Sequence, residues 1–437
     1  MNLEQNYGIP VAPVSAHTME PVARSFPKAR AMPIIYTRTP VIGVPPEALY
    51  KNLLEGNNPE TGRPVIDEII EVLTKSGQKR EVGPAPVYES APCENTLTDT
   101  EDNLQQLFYV NGWTDGLPVI LPTEARVERM LKGTSHSPGE EVSQSLDFEN
   151  REMMKYTVRD IAVIAVMAGA KPEHFPVVLA IASMRQASFA PSTTAFGNML
   201  LVNGPVRNEL KMNAGIAAFA PINQANSVIG RAWTLMSICS GHAVTMKTLR
   251  SSQGCTELYN NMCVAENEER SVWTPFHVDK GFKPEESVVS VFRGWAFVNS
   301  IGCASNRPLD EELSRQFNAI PPMSRATIVM DPLVAASLKE NEGFETKLDY
   351  CNYLSEHVKI NAGDFWKADH IDMLLSNQAA NGVEPYATWK ALPDDALLAP
   401  LTDPAEINLI VVGGETSPLW KASEYRYAGS ASIDSWK

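Results

Sequence analysis

The chain has 437 residues, more than one hydrophobic core usually supports, so two or three domains are expected. Hydrophobic residues at 44% and charged residues at 20% place it away from the composition of disordered chains. A formal charge of −15, from 37 basic and 52 acidic residues, excludes broad contact with a phosphate backbone, and no nucleic-acid partner is expected.

The first 25 or so residues are polar, contain proline and lack periodicity, so residues 1–30 read as an extended arm of the kind that packs on another subunit of an oligomer. No apolar leader core is visible there, and no uncharged apolar run approaches the roughly 20 residues that span a bilayer, so no membrane partner is expected. Residues 31–76 read as a small α/β unit. It holds a strand at Met32–Tyr36, a helix opened by Pro46, and a second helix near Pro64–Lys75 carrying Val65, Ile66, Ile69, Ile70 and Leu73 at helical spacing. Residues 77–98, rich in proline and charge, read as a linker, and 99–437 as the main domain. The fold class is α/β (α+β), a small amino-terminal α/β unit followed by a larger mixed helical and sheet domain.

The main domain opens with a helix over Asp99–Asn111 and a strand at Gly116–Leu121. A helix then runs from Pro122-Thr123 to about Leu131. Two apolar segments, Ile161–Ala170 and Phe175–Met184, are split by Lys171-Pro172-Glu173-His174. With Thr157 and Asp160 spaced as a capping box, they read as a buried helical hairpin. Between Pro191 and Gly254 the helices are small-sided and read as a tightly packed or ligand-facing wall. Strands are expected at Val288–Phe292, Trp295–Val298, Ala326–Met330 and Ile407–Val412, with Asp331-Pro332 capping a helix. No repeat of fixed period is visible.

Candidate chemistry gathers in three places. Cys263, Glu266, Glu268, Glu269 and His277 lie within fifteen residues and offer acid–base groups, with Glu266 and His277 as catalytic candidates. The alternative there is a metal set of Cys263, Glu266 and His277. Three carboxylates downstream argue for a raised Cys263 thiol pKa and against a free nucleophile. Asn203, Arg207, Asn226 and Arg231 stand among small residues, where guanidinium forks suit an anionic substrate; the alternative is that both arginines pair with internal acids and the asparagines cap helices. Trp113 and Asp115 occupy an Asn-Gly and Asp-Gly turn, as substrate-binding and catalytic candidates or as turn punctuation. Gly413-Gly414 could present backbone amides to an anion. The six cysteines, Cys93, Cys239, Cys255, Cys263, Cys303 and Cys351, include no CxxC pair and read as reduced thiols of a cytoplasmic protein.

The segments NGWTDGLPVILPT, AVMAGAKPEHFPVVLAIA, LVNGPVRNEL, ANSVIGRAW and CVAENEERSVWTPFHV together resemble the long subunit or domain associated with the UGSC family of (seleno)proteins, over about residues 100–300. NNPETGRPVIDEIIEVLT, with MPIIYTRTPV before it, resembles the tail of the UGSC domain itself. The resemblance implies thiol or selenol chemistry at a Sec/Cys-Gly-Ser-Cys motif that this chain lacks. It therefore implies a small partner subunit bearing C-G-S-C that docks on residues 1–92. Where the family is Gly-rich, this chain has His242, Met246 and Met262 near Cys239 and Cys255, which would suit a soft metal such as copper.

The leading expectation is a cytoplasmic subunit of a heteromeric oxidoreductase or lyase acting on a small anionic metabolite. Arg207 and Arg231 would hold the substrate and Glu266 and His277 would move protons. The alternatives are a lyase or hydrolase using a divalent metal ion at Cys263, Glu266 and His277, and a non-catalytic scaffold or ligand-binding subunit.

Overall fold

The computed structural model describes residues 10–17, 34–38, 46–74, 96–146, 153–188, 196–241, 243, 249, 251, 254–255, 262–300 and 309–437. The described residues before Glu101 form one compact unit, and those from Glu101 onward form a second. Most of the expected arm and linker, and His242 and Met246, lie outside the described residues.

In the first unit, strand β1 (Val14–Ala16) runs parallel to β2 (Ile35–Thr37). β1 falls inside the stretch read as an arm; three residues are too few for alternation to show in sequence, and pairing with a buried neighbour decides their conformation. Helices Pro46–Leu54 and Val65–Thr74 follow, α/β as expected. Glu68 is buried on the second helix and accepts from Asn58 Nδ2 at 2.7 Å and Thr61 Oγ1 at 2.5 Å, so its charge is solvated by protein donors.

The second unit begins with helices Glu101–Val110 and Glu124–Leu131 and the antiparallel pair β3 (Glu141–Leu146) and β4 (Met153–Thr157). The strand expected at Gly116–Leu121 forms no ladder. The Gln105 side chain bonds both the N–H and the C=O of Val119, and Ile120 N reaches Met167 O at 3.2 Å, so these contacts replace a neighbouring strand. The helical hairpin is present as Val158–Ala168 and Phe175–Ser183. Thr157 and Asp160 complete the capping box, and Gly169 closes the first helix at φ 86°.

Ten strands follow among the described residues: β5 (Gly197–Asn203), β6 (Met262–Ala265), β7 (Val288–Gly294), β8 (Phe297–Asn299), β9 (Ala326–Met330), β10 (Ile360–Asn361), β11 (Leu397–Leu398), β12 (Ile407–Val411), β13 (Trp420–Ser423) and β14 (Arg426–Ser432), eight of them in two four-stranded sheets. β10 and β11 pair only with each other. The first sheet has the order β14-β7-β5-β6 and the second the order β8-β13-β9-β12. In each, one strand has a parallel partner on one side (β6 beside β5, β12 beside β9) and an antiparallel return strand on the other (β7, β13). The fourth strand is exchanged. β8 follows β7 in the chain but pairs with β13 in the second sheet, while β14 follows β13 but pairs with β7 in the first. The two halves therefore repeat one topology, a repeat that leaves no period in the sequence because backbone pairing, not side-chain identity, carries it.

Strand alternation sorts the side chains into three cores. Met199, Leu201, Val264 and Phe292 of the first sheet meet Val329, Ile410 and Val412 of the second half in a core between the sheets. Leu200, Val202, Cys263, Val289 and Val291 face the opposite way, onto the helical hairpin and helix Gln224–Cys239. Ala326, Ile328, Met330, Leu409 and Val411 face helices of residues 309–380. The layers run helix, sheet, sheet, helix. Helix Gln224–Cys239 is less small-sided than its composition suggested: Ile229, Trp233 and Leu235 are fully buried along it. Among the described residues no helix is long and apolar enough to cross a membrane.

Candidate functional site

The carboxyl ends of parallel strands leave the chain as loops at one edge of a sheet, where α/β proteins commonly assemble their sites. At this edge of the first sheet β5 ends in Asn203-Gly204, and β6 is followed by Glu266, Asn267 and Glu268. Gly204 adopts φ +82°, and a Cβ there would stand 2.1 Å from Glu286 O, so the turn out of β5 requires glycine. That turn aims Asn203 and Arg207 at the loop after β6.

Asn203 Nδ2 donates to Glu266 Oε2 at 2.6 Å and to Glu268 Oε1 at 2.8 Å. Facing two carboxylates fixes its amide orientation, because only the NH2 can donate. Gly204 N and Phe276 N add donors to Glu268 and Glu266 at 2.8 and 2.7 Å. Arg207 is 4% exposed and fully engaged: with Gly204 O and Glu266 O by hydrogen bonds, with Glu269 by a fork at 3.0 and 3.1 Å, and with Glu268 Oε2 at 2.9 Å. This hydrogen-bonded ion pairing holds the Glu269 carboxyl down to about 2. Lys347, from helix Lys347–His357, joins Glu266 Oε1 at 3.4 Å to Asp279 Oδ2 at 3.0 Å. Burial raises the Asp279 carboxyl above its ordinary value against the pull of Lys347.

His277, 0% exposed, lies beside this network on the short helix Phe276–Asp279. Its Nδ1 stands 3.9 Å from Glu268 Oε1, an ion-pair approach too long for a hydrogen bond, and among the described residues neither ring nitrogen has a hydrogen-bond partner. Asn203 Oδ1 is likewise buried without one. A buried polar atom left unsatisfied costs about 1–3 kcal/mol, so a polar guest that reached these atoms would stabilise them.

The structure thus brings Asn203, Arg207, Glu266 and His277 together, and adds Glu268, Glu269, Asp279 and Lys347. Lys347 is remote in sequence and carried no signal; Glu268 and Glu269 were visible only as part of an acidic run. The remaining candidates stand apart from the cluster. Arg231 forks onto Asp115 at 2.9 and 3.0 Å and reaches Pro118 O at 2.7 Å, so among the described residues this pair shares no hydrogen bond or ion pair with the cluster. Asn226 bonds Asn213 N and Asn213 O, both at 3.0 Å, and clasps the loop ahead of its own helix. Trp113 is 40% exposed, with its ring edge on Phe108. In the place of an anionic substrate, both guanidinium forks hold internal acids.

The metal set requires correction. Among the described residues no group of three His, Cys, Asp or Glu side chains is placed to hold a metal ion. Alternation along β6 turns Cys263 into the helix-facing core, away from Glu266 and His277, and burial rather than neighbouring acids pushes its thiol up to about 12. The soft-metal reading finds no support in Cys255, whose Sγ faces Trp295 O at 3.6 Å.

Comparison with protein-family models, with curated proteins and with solved structures finds no match to this chain.

Proposed function

We propose that the chain is a subunit of an enzyme that acts on a small polar metabolite by proton transfer at the Asn203–Glu266–His277 cluster. The observation that carries this reading is the fully buried His277 imidazole with both nitrogens unpartnered beside a saturated set of carboxylates. An imidazole can donate from one nitrogen and accept at the other, which suits it to move a proton on a bound molecule. Glu266 is the candidate base, Asn203 Oδ1 orients a donor on the guest, and Lys347 and Arg207 hold the carboxylates in place. Four acidic side chains (Glu266, Glu268, Glu269, Asp279) meet three basic ones (Arg207, Lys347, Lys280), so this cluster favours a neutral or cationic guest over the anionic one expected from the arginines.

The resemblance to UGSC-associated chains adds the proposal that a reactive thiol or selenol comes from a small C-G-S-C-bearing partner, which makes the reaction of oxidoreductase or lyase type in a cytoplasmic setting. The test joins the full chain to such a partner encoded beside it and follows consumption of components of a metabolite extract by mass spectrometry. Glu266→Gln and His277→Asn should each lower turnover by about a hundredfold or more in protein that still folds, with Glu266→Gln also less stable because it gives up the buried pair with Lys347. Turnover equal to wild type in both folded variants would remove the acid–base reading and leave a ligand-binding scaffold.

A further inference from the structure

The same edge of the second sheet is built differently. By register, Asp331 stands where Asn203 stands, and Val412, Gly413 and Gly414 stand where Glu266, Asn267 and Glu268 stand. Val412 N donates to Met330 O as Glu266 N donates to Val202 O, which fixes the correspondence. Two glycines take the places of an amide and a carboxylate, and the loop 214–216 closes against them: a Cβ on Gly414 would lie 2.2 Å from Ile216 Cγ1, and one on Gly413 2.2 Å from Asp331 Oδ2. Where the first half is plugged with charged side chains, the second holds a cleft of about 270 Å³.

Its walls are mostly apolar, with Ile216, Phe219, Val329 and Val412, and Thr416 and Ser417 line it as well. One cation lines it: Lys421 Nζ lies 5.1 Å from the Phe219 ring centroid and donates to Asn299 Oδ1. Among the described residues no carboxylate forms an ion pair with Lys421, and burial lowers its pKa below the ordinary lysine value. The one acid in the wall, Asp331, is 7% exposed and spends both oxygens on backbone amides, Leu333 N at 2.9 Å and Glu415 N at 3.1 Å. Glu415 turns away to Arg270 at 2.9 Å. The cleft therefore presents a half-buried ammonium over an aromatic ring, with its one acid, Asp331, engaged by backbone amides rather than by the ammonium.

We infer that this cleft is a second small-molecule site, distinct from the His277 cluster, that takes a compact organic carboxylate: the anion against Lys421 and the hydroxyls of Thr416 and Ser417, the apolar body against Phe219 and Ile216. A volume of this size admits a molecule of about ten non-hydrogen atoms, near the lower bound of ordinary ligand pockets. The site does not depend on the reaction proposed above.

Benzoate and its uncharged analogue benzyl alcohol are suitable probes, titrated into the full chain while Trp fluorescence is followed. Saturable quenching by benzoate is expected, at least tenfold tighter than by benzyl alcohol. Lys421→Met should remove that preference while leaving benzyl alcohol unchanged, and Lys421→Arg should keep it. His277→Asn should bind benzoate like wild type, which separates this outcome from failure of the catalytic reading. Absence of saturable quenching, equal affinity for the two probes, or an unchanged preference in folded Lys421→Met would each overturn the inference. Should Lys421→Met not fold, Gly215→Trp, which fills the cleft from a glycine with its nearest foreign atom 3.9 Å away, must block benzoate instead, and continued binding there would overturn it.

Discussion

The two halves of the larger unit share strand order, strand direction and an exchanged fourth strand, yet they end in opposite chemistry. At the carboxyl ends of β5 and β6 the space is filled by Arg207, Glu266, Glu268 and His277; at those of β9 and β12 glycines 413 and 414 leave it open. The backbone contributes the same edge twice, and a handful of loop residues decide whether it becomes a packed ionic cluster or a cleft. Asn267 joins the two, donating from its backbone to Val411 O and from its side chain to Gly413 O, both at 2.8 Å.

The sharpest way to break this comparison is to remove its largest charge. Arg207→Ala strands Glu268 at the edge of a buried network and should cost about 3–5 kcal/mol in denaturant unfolding, the range for breaking a buried pair. Arg231→Ala, in the more accessible pair with Asp115, should cost about 2 kcal/mol. Equal losses would mean the cluster is no more demanding than an ordinary ion pair.

The turns after β5 and β9 offer a second contrast. Gly204→Ala combines positive φ with a Cβ 2.1 Å from a carbonyl oxygen and should cost about 3 kcal/mol. Pro332, its counterpart at the start of a helix behind the Asp331 cap, should accept alanine for less than about 1 kcal/mol.

A third contrast is a pair of pH effects of opposite sign. Burial raises the Glu424 carboxyl from 4.5 to about 7, so the folded chain binds a proton that the unfolded chain releases, and stability should fall as pH rises from about 4.5 to 7, by at most about 3 kcal/mol. Glu424→Gln should flatten that slope. Glu269 is depressed to about 2, so its contribution is present above 4.5 and is lost as pH falls toward 2. Because Glu269 is more than half exposed, its loss should be the weaker of the two, and chemical unfolding across pH 2–8 checks both.

Local signals in the sequence were strong where one short stretch carried the whole cause. The Thr157–Asp160 capping box, the Asp331-Pro332 start and the strands Ala326–Met330 and Ile407–Val411 are set by neighbours within a few residues, and they lie where pattern placed them. Gly116–Leu121 has a strand composition but no strand beside it, whereas β1 carries no strand pattern of its own and takes its conformation from β2. The exchange of β8 and β14 is invisible in sequence because two strands joined by a short connection read as a hairpin, whereas here each second strand pairs in the other sheet. In the cluster, Asn203, Arg207, Glu266 and His277 stood out as polar residues in apolar company. Their convergence with Lys347, and the diversion of Arg231 to Asp115, depend on chain segments about 80 and 116 residues apart.

The account rests on the unpartnered imidazole, and a high-resolution crystal structure of the full chain tests it most directly. It predicts density for water or a small molecule within hydrogen-bond distance of a His277 ring nitrogen and of Asn203 Oδ1. A His277 ring turned so that both nitrogens bond protein groups, with Asn203 Oδ1 likewise satisfied by protein, would contradict it.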